Sequence, residues 1–288
     1  MDQKRDQGMT FFIDGVAYTA KEPPDLSWLQ PYGKVFYVFD QQTSGNLCFG
    51  VEGPYGRLFI KYAGARTVRY QGKPENAILT LKNAMPLYDR NHPALTALRG
   101  HGPTRDGYAA IFAWQDLPAL RAYPPSDRIR NQVRQLPFRE SLKMLDMVYD
   151  LHVQLAADGY IAVDFWDGNI LIDFFRSEAI VCDIDLYRKK PAVNDRGRMP
   201  GSSRFLAPEE YEMGAVLDEC TNVFAMGALA FEFYGDNNDR GRESWIGPPA
   251  LYEVARKATQ MKREKRYPTL RAFLNAWREA VGRTPLEE

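Results

Sequence analysis

Hydrophobic positions in the first third of the chain fall into short β-prone runs, and those of the last third recur at helical spacing. Thr10–Ile13 and Val16–Thr19 flank Asp14-Gly15, which predicts a hairpin closed by a two-residue turn. Lys34–Phe39 and Leu47–Val51 read as strands on either side of the polar stretch Asp40–Asn46. Arg57–Tyr62 follows as another strand after the turn at Gly53-Pro54. A helix is expected over Pro74–Tyr88: Pro74 suits its first turn, and Ile78, Leu81, Met85 and Tyr88 share a face. Two further strands are expected around Ala94–Leu98 and Tyr108–Trp114.

From Leu117 the texture changes. Pro118, Pro124, Pro125 and Pro137 mark a connecting region. A long helix follows over Arg139–Ala157, with Leu142, Leu145, Val148, His152 and Leu155 on one face. His152 on that apolar face reads first as a core histidine. Strand-like runs return at Asn169–Phe174 and Ala179–Ile184, and the chain is mainly helical from Glu209 onward. The implied class is α+β: a small β-rich lobe with one helix, a linker, then a larger helical lobe, without internal repeats.

Composition narrows the function classes. With 37 basic and 37 acidic residues in 288, no global charge draws the chain to nucleic acid or an anionic membrane. The three cysteines Cys48, Cys182 and Cys220 are far apart and lack ligand spacing, which argues against a disulfide framework or a zinc site. The first ten residues lack the apolar core of a secretory signal, and the apolar stretch Val223–Phe231 is too short to span a bilayer. The expectation is a soluble, cytoplasmic protein with no membrane segment; the sequence sets no oligomeric state.

Candidate chemistry gathers at a few places. Lys61 sits in an apolar strand, where it is either an edge lysine facing water or a cation with a partner. The polar loop Asp40–Asn46 precedes it, a kind of loop whose backbone N–H groups can cradle phosphate. Asp164 and Asn169 frame Asp164-Phe165-Trp166-Asp167-Gly168-Asn169 at the entrance of a strand, and Asp183 closes the run Ile180–Cys182. If those two runs pair as a hairpin, Asn169 and Asp183 share one end of it. A carboxylate and an amide oxygen there are hard ligands suited to Mg2+, leaving Asp164 to orient a hydroxyl nucleophile.

These residues, in this order, resemble the eukaryotic-like (Hanks-type) protein kinase superfamily, in wording most like a bacterial serine/threonine branch. Asp164 and Asn169 have the Asp-to-Asn spacing of the kinase catalytic loop, and Asp183-Ile184-Asp185 stands where Asp-Phe-Gly is expected. Ala207-Pro208-Glu209 is intact after Gly201–Leu206, Asn222–Gly227 resembles the start of a large central helix, and Arg266 matches the usual partner of the glutamate. The resemblance covers residues 34–280 and implies a bilobal fold: an extension with a hairpin over 1–33, an N-lobe over 34–113 and a C-lobe over 114–288. It implies transfer of the γ-phosphate of Mg-ATP to a Ser or Thr hydroxyl of a protein substrate. Lys61 would hold the α/β-phosphates, Asn169 and Asp183 the Mg2+, and Asp164 the acceptor hydroxyl. Gly45 would be what remains of the glycine-rich loop, Glu75 the helix partner of Lys61, and Ala113 and Gln115 part of the stretch that reads adenine.

The departures define the alternatives. Only Gly45 of the glycine-rich loop is kept, Ala162 and Val163 replace the usual His and Arg, and Trp166 stands where a lysine neutralises the transferring phosphoryl group. A pseudokinase that binds nucleotide as a docking or regulatory module shares every other feature. A small-molecule phosphotransferase shares the ATP residues but generally lacks the segment carrying Glu209.

Overall fold

The computed structural model describes residues 8–121 and 126–283; Pro124 and Pro125 of the expected connecting region lie outside them. The chain is mixed α+β and divides into two compact units. One comprises the chain up to Asn91 together with Thr96–Asp116; the other comprises His92–Leu95 and everything from Leu117 onward.

Unit 1 opens with the hairpin of β1 (Met9–Ile13) and β2 (Val16–Ala20), followed by a 3-10 turn over Ser27–Tyr32. Then come β3 (Lys34–Phe39), β4 (Asn46–Gly53), β5 (Gly56–Ala63), α1 (Pro74–Tyr88), β6 (Leu98–Pro103) and β7 (Tyr108–Ala113). The last five strands form one antiparallel sheet in the order β3-β4-β5-β7-β6. Strand alternation sorts its faces. Leu58, Ile60 and Tyr62 of β5 join Leu47, Phe49, Val51, Ala109 and Ile111 in one apolar core, which Tyr18, Ala20 and Leu29 complete. The described part of the first 33 residues therefore contributes to this core, although β1 and β2 pair only with each other and do not extend the ladder. Asp14 and Asp40 fasten the hairpin instead, accepting the backbone N–H of Val35 at 2.8 Å and of Thr19 at 2.7 Å.

The strand expected around Ala94–Leu98 forms later, over Leu98–Pro103. Ala94 and Leu95 are apolar for a different reason: they belong to unit 2, where Leu95 bridges Val181 and the Ala94 carbonyl accepts the Val181 N–H at 2.7 Å.

Unit 2 contains α2 (Arg128–Val133), α3 (Phe138–Ala157), β8 (Tyr160–Ile161), β9 (Ile170–Asp173), β10 (Glu178–Val181), β11 (Arg188–Lys189), β12 (Ala192–Val193) and β13 (Val216–Leu217). It ends in α4 (Glu219–Tyr234), α5 (Pro249–Ala258) and α6 (Leu270–Gly282). Asp218 caps α4 by accepting the N–H groups of Cys220 and Thr221, and every residue of that helix from Cys220 to Tyr234 is buried. A helix apolar on all sides is a core helix. The long α3 packs beside it, joined by the Tyr149 hydroxyl donating to the Met226 carbonyl at 3.2 Å. No helix among the described residues is long and apolar enough to cross a membrane.

Candidate functional site

In unit 2, β9 and β10 pair antiparallel with Ile170 opposite Val181. That register brings Asn169 and Asp183 to the same end of the hairpin, where the Asn169 side-chain amide lies 3.5 Å from the Asp183 carbonyl. The Cys182 N–H donates to the Asn169 carbonyl at 2.8 Å, so the two approaches are locked by backbone as well. Asn169 is buried, and its Oδ1 accepts the Trp166 N–H at 3.2 Å. This closes the turn that begins at Asp164.

Asp164 and Asp183 both hold left-handed backbone, with φ of 64° and 56°. Such a conformation is uncommon for a residue other than glycine and is retained where the surroundings enforce it. Burial, then the neighbouring charge of Asp183, raises the Asp164 pKa from 3.8 to about 7, against the opposing pull of Arg196 and Arg198. A carboxylate poised near neutrality suits proton acceptance from a hydroxyl.

Polar contacts from distant parts of unit 2 hold this loop. Asn222, at the start of α4, clamps the chain just before Asp164: its amide donates to the Ala162 carbonyl at 2.7 Å and its Oδ1 accepts the Ala162 N–H at 2.8 Å. Asp167 is buried and takes both carboxylate oxygens to Arg204 at 2.8 Å. Arg204 also pairs with buried Glu232, which Arg130 approaches at 3.1 Å. Gly168 allows the Trp166 indole to fold back over the turn, since a Cβ there would stand 2.3 Å from that ring. Sequence reasoning missed Asp167 and Arg204, because an Asp-Gly pair is a sufficient turn signal and a partner 37 residues away leaves no local mark.

Glu209 and Arg266 form the expected pair, a buried fork with Nη1–Oε1 at 2.7 Å and Nη2–Oε2 at 3.0 Å. Beside it, burial pushes the Glu210 carboxyl up to about 8. His152 is a core histidine. Its Nδ1 faces the Val148 carbonyl at 2.8 Å, which only accepts, so its Nε2 accepts from the Tyr187 hydroxyl at 2.8 Å. Burial lowers its pKa to about 4.

In unit 1, Lys61 is buried in the middle of β5, between Cys48 of β4 and Ala110 of β7. It is an interior lysine, and the edge-strand alternative falls. Glu75 is exposed in the first turn of α1, where an acid complements the helix dipole. Gly45 has φ of 85°, and a Cβ there would meet Ala77 and Tyr70 at 2.8 Å. Its close approach is therefore to its own unit's helix α1 and the loop before it. Ala113 ends β7, and the N–H groups of Ala113 and Trp114 are already given to the carbonyls of Ala97 and Arg57 at 3.1 Å each. Gln115 follows, partly buried. The Trp114 ring packs with Phe36, Phe39 and Phe59.

Among the described residues no group of three or more His, Cys, Asp or Glu side chains is arranged to hold a metal ion. The donors at the hairpin end are one carboxylate and one carboxamide, the sparse oxygen set that Mg2+ takes when phosphates and water complete its shell. By sequence, the chain matches no family model and no curated protein.

Proposed function

We propose that the chain is a bilobal, protein-kinase-like phosphotransferase that moves the γ-phosphate of Mg-ATP to a Ser or Thr hydroxyl of a protein. The observation that carries this reading is the gathering of Asp164, Asn169 and Asp183 at one end of the β9–β10 hairpin, with Asp164 held near neutrality. The five-stranded order with a buried lysine in β5, and the Glu209–Arg266 fork, support it from elsewhere in the chain.

Asn169 and Asp183 would hold Mg2+, which when bound supplies positive charge to phosphate oxygens. Asp164 would orient the acceptor hydroxyl and take its proton as the oxygen attacks the γ-phosphorus and the bond from that phosphorus to the bridging oxygen breaks, releasing ADP. Lys61 would bind the α/β-phosphates. With the Ala113 and Trp114 N–H groups already engaged, Gln115 is the residue of that stretch left to donate to a base edge.

A second reading has its own observation. Phe36, Phe39, Phe59 and Trp114 pack on one another beside the stretch assigned to adenine, with centroids 4.8 to 6.4 Å apart. Trp166, moreover, offers no charge to a transferring phosphoryl group. A pseudokinase that serves as a docking module accommodates both facts.

Single-turnover incubation with Mg2+ and γ-labelled ATP, alongside Asp164→Asn and Asp183→Asn, separates the readings. Label transfer to the chain itself or to generic Ser/Thr proteins, lost in both variants, is the expected result. Nucleotide binding without transfer above the variants selects the pseudokinase, and transfer only to small hydroxylated compounds overturns the protein-substrate assignment.

A further inference from the structure

Unit 2 has a second concavity, about 610 Å³, between the Ser203–Tyr211 stretch, α4 and the C-terminal end of α5. Three arginines line it, Arg204, Arg240 and Arg256, and no aspartate or glutamate does. Two of the three have their charge answered from outside the pocket. Arg204 is held by Asp167 and Glu232, and Arg256, on the exposed rim, pairs with Glu253 at 2.7 Å.

Arg240 differs. Its Nε–H donates to Asn237 Oδ1 at 2.9 Å and one Nη2–H to the Arg204 carbonyl at 2.6 Å, with its guanidinium 4.7 Å from the Phe224 ring centroid. No carboxylate lies within ion-pair distance of it among the described residues. Burial, with no acid to oppose it, lowers its pKa to about 10. Its backbone φ is 55°, the strained left-handed region again. Desolvating a guanidinium without a counter-charge and straining its backbone both cost free energy, and a bound oxyanion offsets the first of these. The Ser203 hydroxyl, on the same wall, is a neutral donor suited to the same ligand.

We propose that this pocket binds a phosphate-class oxyanion, held by Arg240 and Arg256 with Ser203, either free or carried on a phosphorylated side chain. The site uses none of Lys61, Asp164, Asn169 or Asp183, so it stands or falls apart from the phosphotransfer reading.

Isothermal titration of the full chain tests it, with sodium phosphate, a phosphoserine peptide and the same peptide unphosphorylated, at constant ionic strength in chloride. Saturable binding of phosphate is expected, weakened about ten-fold or more in Arg240→Gln and in Arg256→Gln. Lys82→Gln, at an exposed lysine on α1 of unit 1, should leave it unchanged. Tighter binding of the phosphopeptide than of phosphate names a modified side chain as the source; equal or weaker binding names the free anion. Absence of saturable binding by either overturns the proposal, as does undiminished binding in the folded arginine variants. Should Arg240→Gln fail to fold, the exposed Arg256→Gln decides alone.

Discussion

Unit 1 buries a single charged side chain among its described residues, Lys61, inside a sheet whose other buried positions are mostly apolar, Asn46 excepted. Unit 2 buries Asp167, Glu209, Glu210, Glu232 and Arg266, together with Asn169, Asn194, Asn222 and Asn237. The contrast follows from how each unit holds its shape. Strand pairing satisfies most of the backbone of the unit 1 sheet, with Asp14 and Asp40 taking up the N–H groups of Val35 and Thr19. Unit 2 fixes long irregular stretches between short strands and helices, and irregular backbone needs side-chain donors and acceptors wherever it goes inside. The residues proposed for chemistry divide the same way: Lys61 rides on a strand, whereas Asp164 and Asn169 sit on a turn that Asn222 and Arg204 hold in place, with Asp183 tied to it through Asn169.

The strongest way to test that contrast is to remove one buried charge from unit 2. Glu209→Ala leaves Arg266 buried without its carboxylate and should destabilise unit 2 by about 3–5 kcal/mol. Chemical denaturation followed by hydrogen exchange in each unit should put the loss in α4–α6 and spare the β3–β7 sheet. Equal loss in both units would break the comparison.

Next comes Asp164→Asn, which should cut phosphoryl transfer about 100-fold or more while leaving the fold intact. On the proposed function the rate in the unsubstituted chain should climb with pH across the acid range and level off at or below about 7. Asp164 would accept a proton only when ionised, and Mg2+ on Asp183 would offset part of the charge that raises its pKa. A rate flat across that range would count against Asp164 as the base.

A smaller effect is expected in unit 1. Gly45→Ala places a Cβ 2.8 Å from Ala77 and Tyr70 at a φ of 85°, and should cost unit 1 about 1–2 kcal/mol. Unchanged thermal stability of the sheet would show that the turn can move.

The smallest is Glu210→Gln. Glu210 has a folded pKa of about 8 against 4.5 unfolded, so the native state binds the extra proton, and this residue's contribution to stability falls as pH rises between those values. The variant should therefore match the parent at about pH 5 and exceed it by about 1 kcal/mol or more at about pH 8 in urea titrations. No gain at the higher pH would mean that the carboxylate is solvated.

Much of the fold is legible in single-residue patterns. α1 runs from Pro74 to Tyr88 and β3 from Lys34 to Phe39, as the periodicity implies, because each buries one face and the period alone marks it. The strand expected near Ala94 is the instructive miss: Ala94 and Leu95 are apolar because they dock on β10, and β6 proper alternates glycine with polar residues that carry no strand signal. Of the candidate site, Asp164, Asn169 and Asp183 were legible because a turn and two apolar runs constrain them locally. That Glu75 lies exposed in the first turn of α1 was not legible, because position within a helix is visible in sequence and the direction of its side chain is not.

Taken alone, the order of residues determined the element types, the hairpin geometry that unites Asn169 with Asp183, and the absence of any overall charge bias. Only tertiary structure decided that the Asp164 pKa is raised to about 7, that Arg204 answers Asp167, and that partly buried Arg240 has no acid beside it. Periodicity is local, read from neighbours a few positions apart. Burial and counter-charge depend on residues tens of positions away, and desolvation has no magnitude until the chain has closed around the group.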